Sequence, residues 1–413
     1  MSSCNPKIAI VGAGPAGLTL GVLLHNRGVP FNIFELRQLP MIEELAKPSG
    51  SLDLHEDSGL AAIKECGLFD QFLPLTAECS EDDRIADKDG NILYADEGEH
   101  SNRPEISRHA LTKLLLSSLP VDVVRWEHKL VSVTSSTTSG HTGTELNFGP
   151  RGKHIFDLVV GADGAWSRVR ELLTDVKPHY AGIQNITATV RHITEKHSHL
   201  AELIGRGTFA ALGIRHGVCS QRGAEDSARI YVFVTTSDED FATSAGLAGK
   251  TAANAKDVLL ANDTLLGKWG TKLKELVRVV FDAETADNPG ASVDVKPLYT
   301  LPVGISWDHK AGVTVIGDAA HLMCPWAGEG VNVAMCDSLL LSRAIVKAYE
   351  AAGRDAASFQ RTLEPLLGEF EVNMMARAKE KAEETFRNGQ IMFGECGAAG
   401  MVELFRSHGQ LEQ

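Results

Sequence analysis

Gly12-Ala13-Gly14-Pro15-Ala16-Gly17 follows a short apolar run, Lys7 to Val11, and opens a helical pattern. Glycines in that spacing suit a tight turn, a close approach of backbone to a phosphate, and close packing of helix on strand. The helix N-terminus then offers free amides and the positive end of its dipole to an anion. A second apolar run, Phe31 to Phe34, ends in Glu35, about 20 residues further on, where a carboxylate can accept from a ribose diol. An acidic residue there suits FAD or NAD better than NADP. Two later turns repeat the logic. DLVVGADGAWSRVR, residues 157–170, is a buried strand ending in Asp163-Gly164. GDAAHLMCPWAGEGVN, residues 317–332, puts Asp318 just after the strand 313–316, then Pro325, Gly328 and Gly330, where backbone can approach a flat ligand. Taken singly, Asp163 is equally compatible with a capping role, and an aspartate placed like Asp318 is more often a cap than a ligand contact.

Elements must hold these turns together. Residues 7–35 predict strand, glycine turn, helix closing at Gly28, and strand: one βαβ unit. Residues 41–50 read as irregular, 59–66 as a helix stopping at Gly67, 82–94 as a hairpin turning at Asp89-Gly90, and 108–119 as a helix. Strands over 128–133 and 144–148 flank a polar Ser/Thr/Gly loop, and 155–160 reads as one apolar strand. Between about 178 and 305, alternating segments (187–193, 229–235, 276–281) predict an antiparallel sheet with one exposed face. Beyond Glu329 the pattern is helical, with a charged amphipathic helix ending near Phe386. The expected fold class is α/β. A discontinuous Rossmann-like domain over 1–177 and 306–357 carries an inserted antiparallel-sheet domain over 178–305 and a helical segment over 358–413.

A chain of 413 residues exceeds one ordinary core, which agrees with two joined domains. The net charge of −14 argues against nucleic acid and anionic membrane as partners. Seven scattered cysteines with no CxxC pair read as reduced thiols of an intracellular protein. No secretion signal and no apolar run of about 20 residues is visible, so a cytoplasmic protein without a membrane span is expected, as a monomer or weak dimer. His192, His197 and His199 lack the spacing of a metal site, and no metal is expected. No serine elbow or HExxH occurs, so the chemistry is expected from a cofactor.

In this order, GAGPAG (12–17), ADG (162–164) and GDAAHLMCPWAGEGVN (317–332) resemble class A flavin-dependent aromatic hydroxylases, the para-hydroxybenzoate hydroxylase-like monooxygenases. GSLDLHEDSG (50–59) and RPEISRHALTKLLL (103–116) extend the resemblance to the tetracycline-inactivating flavin monooxygenases. It covers nearly the whole chain. It implies an FAD-binding domain of glutathione reductase type, and NAD(P)H- and O2-dependent insertion of one oxygen atom into a small aromatic substrate. It further implies Gly12, Gly14, Pro15, Ala16 and Gly17 at the pyrophosphate, and Glu35 with Arg37 at the adenosine ribose. Arg108 would reach the FAD linker, and Asp318 the ribityl chain or pyrophosphate. Pro325, Gly328, Gly330, Val331 and Asn332 would lie against the isoalloxazine ring, with Asp53 near its edge. Asp163 would sit in a turn serving flavin and nicotinamide together, in keeping with the lack of a second GxGxxG.

The chain also departs from that group. Ala46-Lys47-Pro48-Ser49 stands where an arginine is expected, Thr187 where a glutamine is, and Ile230-Tyr231 where a histidine is. Tetracycline is therefore not the expected substrate. Glu329 replaces a glutamine, and its carboxylate is expected to point away from the ring. The candidate pocket residues Thr187, Thr189, Leu212, Tyr231, Phe233 and Trp326 are small, apolar or aromatic, with no evident cation. They predict a largely apolar aromatic or polycyclic substrate, a secondary metabolite among the options. Hydroxylation is expected, with epoxidation and Baeyer–Villiger insertion as alternatives. An FAD oxidase or dehydrogenase, or a non-catalytic binding protein on the same fold, are the competing readings. Nothing in the motifs separates NADH from NADPH.

Overall fold

The computed structural model describes residues 5–76, 82–96, 103–138, 141–353 and 355–411. Its first layer is a parallel five-stranded sheet of β1 (Ile8–Val11), β2 (Asn32–Phe34), β7 (Val124–Arg125), β11 (Leu158–Gly161) and β17 (Val313–Val315), in the order β17-β11-β1-β2-β7. β1, β11 and β17 are buried throughout, as expected where both faces of a parallel sheet are covered. Helix Pro15–Asn26 joins β1 to β2 and packs against helix Gly330–Ala352. Every residue from Ala16 to Leu24 is buried, so this helix is core all round rather than amphipathic. Leu18, Leu20 and Leu24 are fully buried, each contributing about 1.5–3 kcal/mol.

The register brings the ends of these strands to one edge. Gly12 N donates to Phe34 O at 2.8 Å, Ala162 N to Val11 O at 2.7 Å, and Ile316 N to Gly161 O at 2.9 Å. The three turns and Glu35 therefore meet at the carboxyl edge of one sheet, where open α/β folds bind ligands.

A two-stranded ladder, β3 (Ser51–Asp53) with β6 (Glu105–Ser107), lies beside that edge. The second large sheet has seven strands: β4 (Asp83–Asp87), β5 (Ile92–Asp96), β12 (His179–Val190), β13 (Thr208–Leu212), β14 (His216–Gly223), β15 (Ser227–Thr235) and β16 (Asp294–Thr300). Their order is β16-β12-β15-β14-β13-β4-β5, and the β4–β5 hairpin joins through a parallel pairing with β13. One face of this sheet, with Ile186, Ala188, Val190, Ile230, Val232 and Val234, packs on helix Thr271–Asp287. The other faces the C-terminal helices.

Several sequence expectations need correction. Residues 276–281 are helical, because Leu273, Leu276, Val277, Val280 and Phe281 form a stripe at helical spacing that six residues alone do not reveal. The apolar run 155–160 is two strands, β10 (Lys153–Phe156) and β11. Buried Asp157 breaks it, accepting from Lys7 N at 2.7 Å where the chain passes from one sheet to the next. The polar Ser/Thr segment is itself strand, in β8 (Ser132–Thr138) and β9 (His141–Asn147), consistent with the β preference of threonine. Residues 41–50 contain a short helix, Ile42–Leu45. The C-terminal amphipathic helix runs past Phe386, from Ala356 to Met392. No helix among the described residues is long and apolar enough to cross a membrane, and Cys66, Cys219, Cys324, Cys336 and Cys396 are free.

Candidate active site

The first turn separates two uses of glycine. A Cβ on Gly12, whose φ is +108°, would lie 2.2 Å from Ala162 O, and one on Gly17 would lie 2.0 Å from Gly12 O. Both are therefore required by the protein's own packing. Around Gly14 a Cβ would meet nothing within 4 Å. Gly14 is also the N-cap of helix Pro15–Asn26 and supplies no side-chain cap, so this helix end is open.

Glu35 is 4% exposed. Its Oε2 accepts from Ala13 N at 2.7 Å, and its Oε1 from Arg37 N at 2.9 Å and Arg37 Nε at 2.8 Å. Burial works against the charged carboxylate, but Arg37 and the two amides outweigh it and hold the pKa below its usual value. Glu35 thus braces the glycine turn, while Arg37 is exposed. Replacing Glu35 by Arg is expected to lower FAD retained through purification by roughly tenfold, through loss of an acceptor and of the brace on Ala13. Full flavin occupancy, read from the visible absorbance-to-protein ratio, would contradict the assignment.

In the second turn Asp163 accepts from Ser167 Oγ, from Arg168 N at 2.8 Å and from Val169 N at 3.4 Å, which is a capping arrangement. Arg168 is exposed. Arg170 is 3% exposed and donates to Ala319 O at 2.9 Å and Ala165 O at 2.8 Å, tying the second turn to the third. No local signal distinguishes these two arginines.

The third turn carries Asp318, whose side chain is exposed. It stands at the C-terminal end of β17, just after Gly317, at the sheet edge where the other two turns lie. Desolvation raises its pKa, opposed by the positive charges of His321 and Arg108. Arg108 itself is exposed, at the start of the helix capped by Ser107. Pro325 is exposed and Val331 half-buried. Gly328, at φ +68°, has Asp53 Oδ2 3.2 Å from its would-be Cβ, and Gly330, like Gly14, has open space there. Asn332 is fully buried, accepts from His55 N at 2.9 Å and donates to Asp53 O at 3.0 Å, stapling β3 to the turn. Glu329 points neither into solvent nor along its own helix. It is 6% exposed and paired with Lys381.

On the second sheet, Leu212, Tyr231 and Phe233 join Trp326 in one cluster. Phe233 and Trp326 meet edge-to-face at 4.9 Å, and Phe393, from just beyond the long helix, meets Trp326 at 4.8 Å. Nothing in the sequence marked Phe393. Thr187 pairs directly opposite Tyr231 and Thr189 opposite Arg229, so both lie on that same face, outside the ring cluster itself. Thr189 N donates to Glu284 at 2.8 Å, and its hydroxyl accepts from Arg229 at 3.0 Å. The expectation of a face without a cation is therefore corrected: Arg229 is two residues from Tyr231 and lies 5.8 Å from its ring centroid. The period-2 alternation of β15 brings it to that face.

The model for an FAD binding domain matches residues 5–265 and 306–358, spanning all three turns. The chain belongs to the FAD-binding-domain family. It is 38% identical to the monooxygenase penA of Penicillium thymicola, over 97% of this chain and 98% of the relative. It is 36% identical to the monooxygenase asqM of Emericella nidulans, over 94% and 96%. Among solved structures, Klebsiella pneumoniae HpxO with FAD and uric acid has the same fold, with a TM-score of 0.72, 18% identity, and coverage of 97% of this chain and 92% of that one. This family member is an FAD-dependent monooxygenase. The open ground at Gly14 and Gly330 and the accessible carboxylate of Asp318 fit a long, partly anionic cofactor lying across the sheet edge.

Proposed function

We propose that this enzyme hydroxylates a bulky, largely apolar aromatic or polycyclic secondary metabolite, with NADPH or NADH as reductant and O2 as oxidant. The observation that carries this reading is the aromatic group Tyr231, Phe233, Trp326 and Phe393, assembled from three distant segments beside the Gly328–Gly330 turn. Such a wall gains affinity from apolar burial, about 25 cal/mol per Å2, and orients its ligand through few polar groups. Arg229 does not turn the site into a carboxylate clamp, since it is engaged by Thr189 and Tyr231 and shares its surroundings with Glu284 and Asp294.

Bound FAD supplies the redox and oxygen chemistry. The protein's part is to hold it. The amide edge at Gly12 to Gly17 takes the pyrophosphate, Glu35 the adenosine ribose, and Asp318 with Arg108 the linker. The Pro325 to Asn332 backbone takes the ring, with Asp53 at its edge and the Asp163 turn beside it. In this assignment residues 1–177 and 306–357 carry the cofactor, apart from the β4–β5 hairpin, which joins 178–305 in roofing the substrate. The protein is assigned to the cytoplasm as a monomer or weak dimer.

The test compares simple benzoates with a bulky neutral phenol or indole in the FAD-loaded enzyme. NAD(P)H oxidation and oxygenated product are both measured. Stimulation of about tenfold or more by the bulky compound, coupled to product, is expected. Strong coupling with the benzoates alone would overturn the reading.

A further inference from the structure

Helix Gly330–Ala352 begins where the cofactor ring is placed, and its N-cap residue is Glu329. A carboxylate beside the first turn of a helix is drawn toward its free amides by the dipole. Glu329 has not turned there: its side chain makes no capping hydrogen bond. Its Oε1 lies 2.5 Å from Lys381 Nζ, and its Oε2 is 3.6 Å from His55 Nδ1. Lys381 is also 3.5 Å from Glu384, and His55 Nε2 is 2.9 Å from Asp53 Oδ2. With the carboxylate 6% exposed, this pairing is what compensates its buried charge.

We infer that Lys381 is a positioning residue that holds the Glu329 carboxylate off the first-turn amides and so keeps the N-terminus of helix Gly330–Ala352 free for the cofactor. Three observations meet here. An acceptor able to cap the helix is adjacent to it, a cation from the long helix engages that acceptor instead, and the space at Gly330 is open. Without Lys381, the buried carboxylate is left with His55 Nδ1 at 3.6 Å and the helix end itself, and turning onto the helix end places a negative charge and a competing acceptor where the ring's electron-rich edge is assigned. Lys381 lies beyond the last residue of the family match, so this device comes from the C-terminal helix. The inference rests on the FAD placement proposed above.

The test titrates apoprotein with FAD and measures the reduction potential of the bound flavin in the wild type, K381M, K381R, E329Q and K381M/E329Q. K381M is expected to weaken FAD binding about tenfold and to lower the potential, because uncompensated negative charge disfavours electron uptake. K381R is expected to stay near the wild type. In the E329Q background, removing Lys381 should change FAD affinity by less than about twofold. This arm reports even if K381M alone does not fold, since the double variant holds no unpaired buried carboxylate at position 329. Wild-type affinity and potential in K381M would overturn the inference. So would a double variant several-fold weaker than E329Q, because Lys381 would then act through packing. A wild type that binds no FAD would instead remove the cofactor placement and this inference with it.

Discussion

Gly17→Ala is expected to leave little folded protein, whereas Gly14→Ala, three residues away, should fold and lose flavin. A methyl on Gly17 would stand 2.0 Å from Gly12 O, which is backbone and is fixed by the Gly12 N to Phe34 O hydrogen bond between adjoining strand ends. Relief requires the helix to move off the sheet, breaking the burial of Leu18 and Leu20. Overpacking a core costs about 1–3 kcal/mol and more where the obstacle is rigid, so a loss of about 3 kcal/mol or more is expected. At Gly14 the φ is −81° and an added methyl meets no protein atom within 4 Å. The apoprotein should therefore unfold in urea near the wild-type midpoint, while the methyl occupies ground assigned to the pyrophosphate and FAD affinity falls by about tenfold or more. Equal unfolding midpoints for the two variants would show that the close approach of helix and strand is not what Gly17 provides.

The second large effect is expected at Asp337, a residue the sequence never marked. It is fully buried and serves three partners: His321 Nε2 at 2.6 Å, Gly317 N at 3.1 Å and Arg377 Nη2 at 3.4 Å. Asp337→Ala leaves the 5%-exposed His321, the Gly317 amide and one arginine contact without their acceptor, and a loss of about 3–5 kcal/mol is expected. Asp337→Asn keeps the shape and removes the charge, so pH separates the two contributions. Burial lowers the pKa of His321, but Asp337 and Asp318 outweigh it and the folded-state pKa is raised. Stability from this pair is therefore fully present below the unfolded value of about 6.5, and is lost as pH rises from there through the folded-state value. Urea midpoints of the wild type should fall across that window, and those of Asp337→Asn should change less. Parallel pH profiles would remove the charge pair from the account.

What could be read along the chain is what short-range physics controls. Glycines at 12, 14 and 17 between an apolar strand and an apolar helix specify a turn whose geometry few other residues permit, and Glu35 falls at the end of the next strand because strand and helix lengths fix the spacing. The alternation in β12 and β15 likewise comes from a side-chain period of two. The stretch 276–281 misled because an apolar run of six residues has no period long enough to separate strand from helix. Convergence is a different matter. Arg170 reaches Ala319 across 149 residues, Glu329 meets Lys381 across 52, and Phe393 meets Phe233 across 160. Each pairing exists only because parallel strands align their carboxyl ends and one long helix crosses both layers. An arginine, a lysine or a phenylalanine carries no local mark of whether it will be solvated or buried. The sequence by itself determined the turns and the class of cofactor. Which side chains brace those turns, cancel Glu329 and wall the pocket was decided by the tertiary structure, because burial and partner distance are properties of the packed chain.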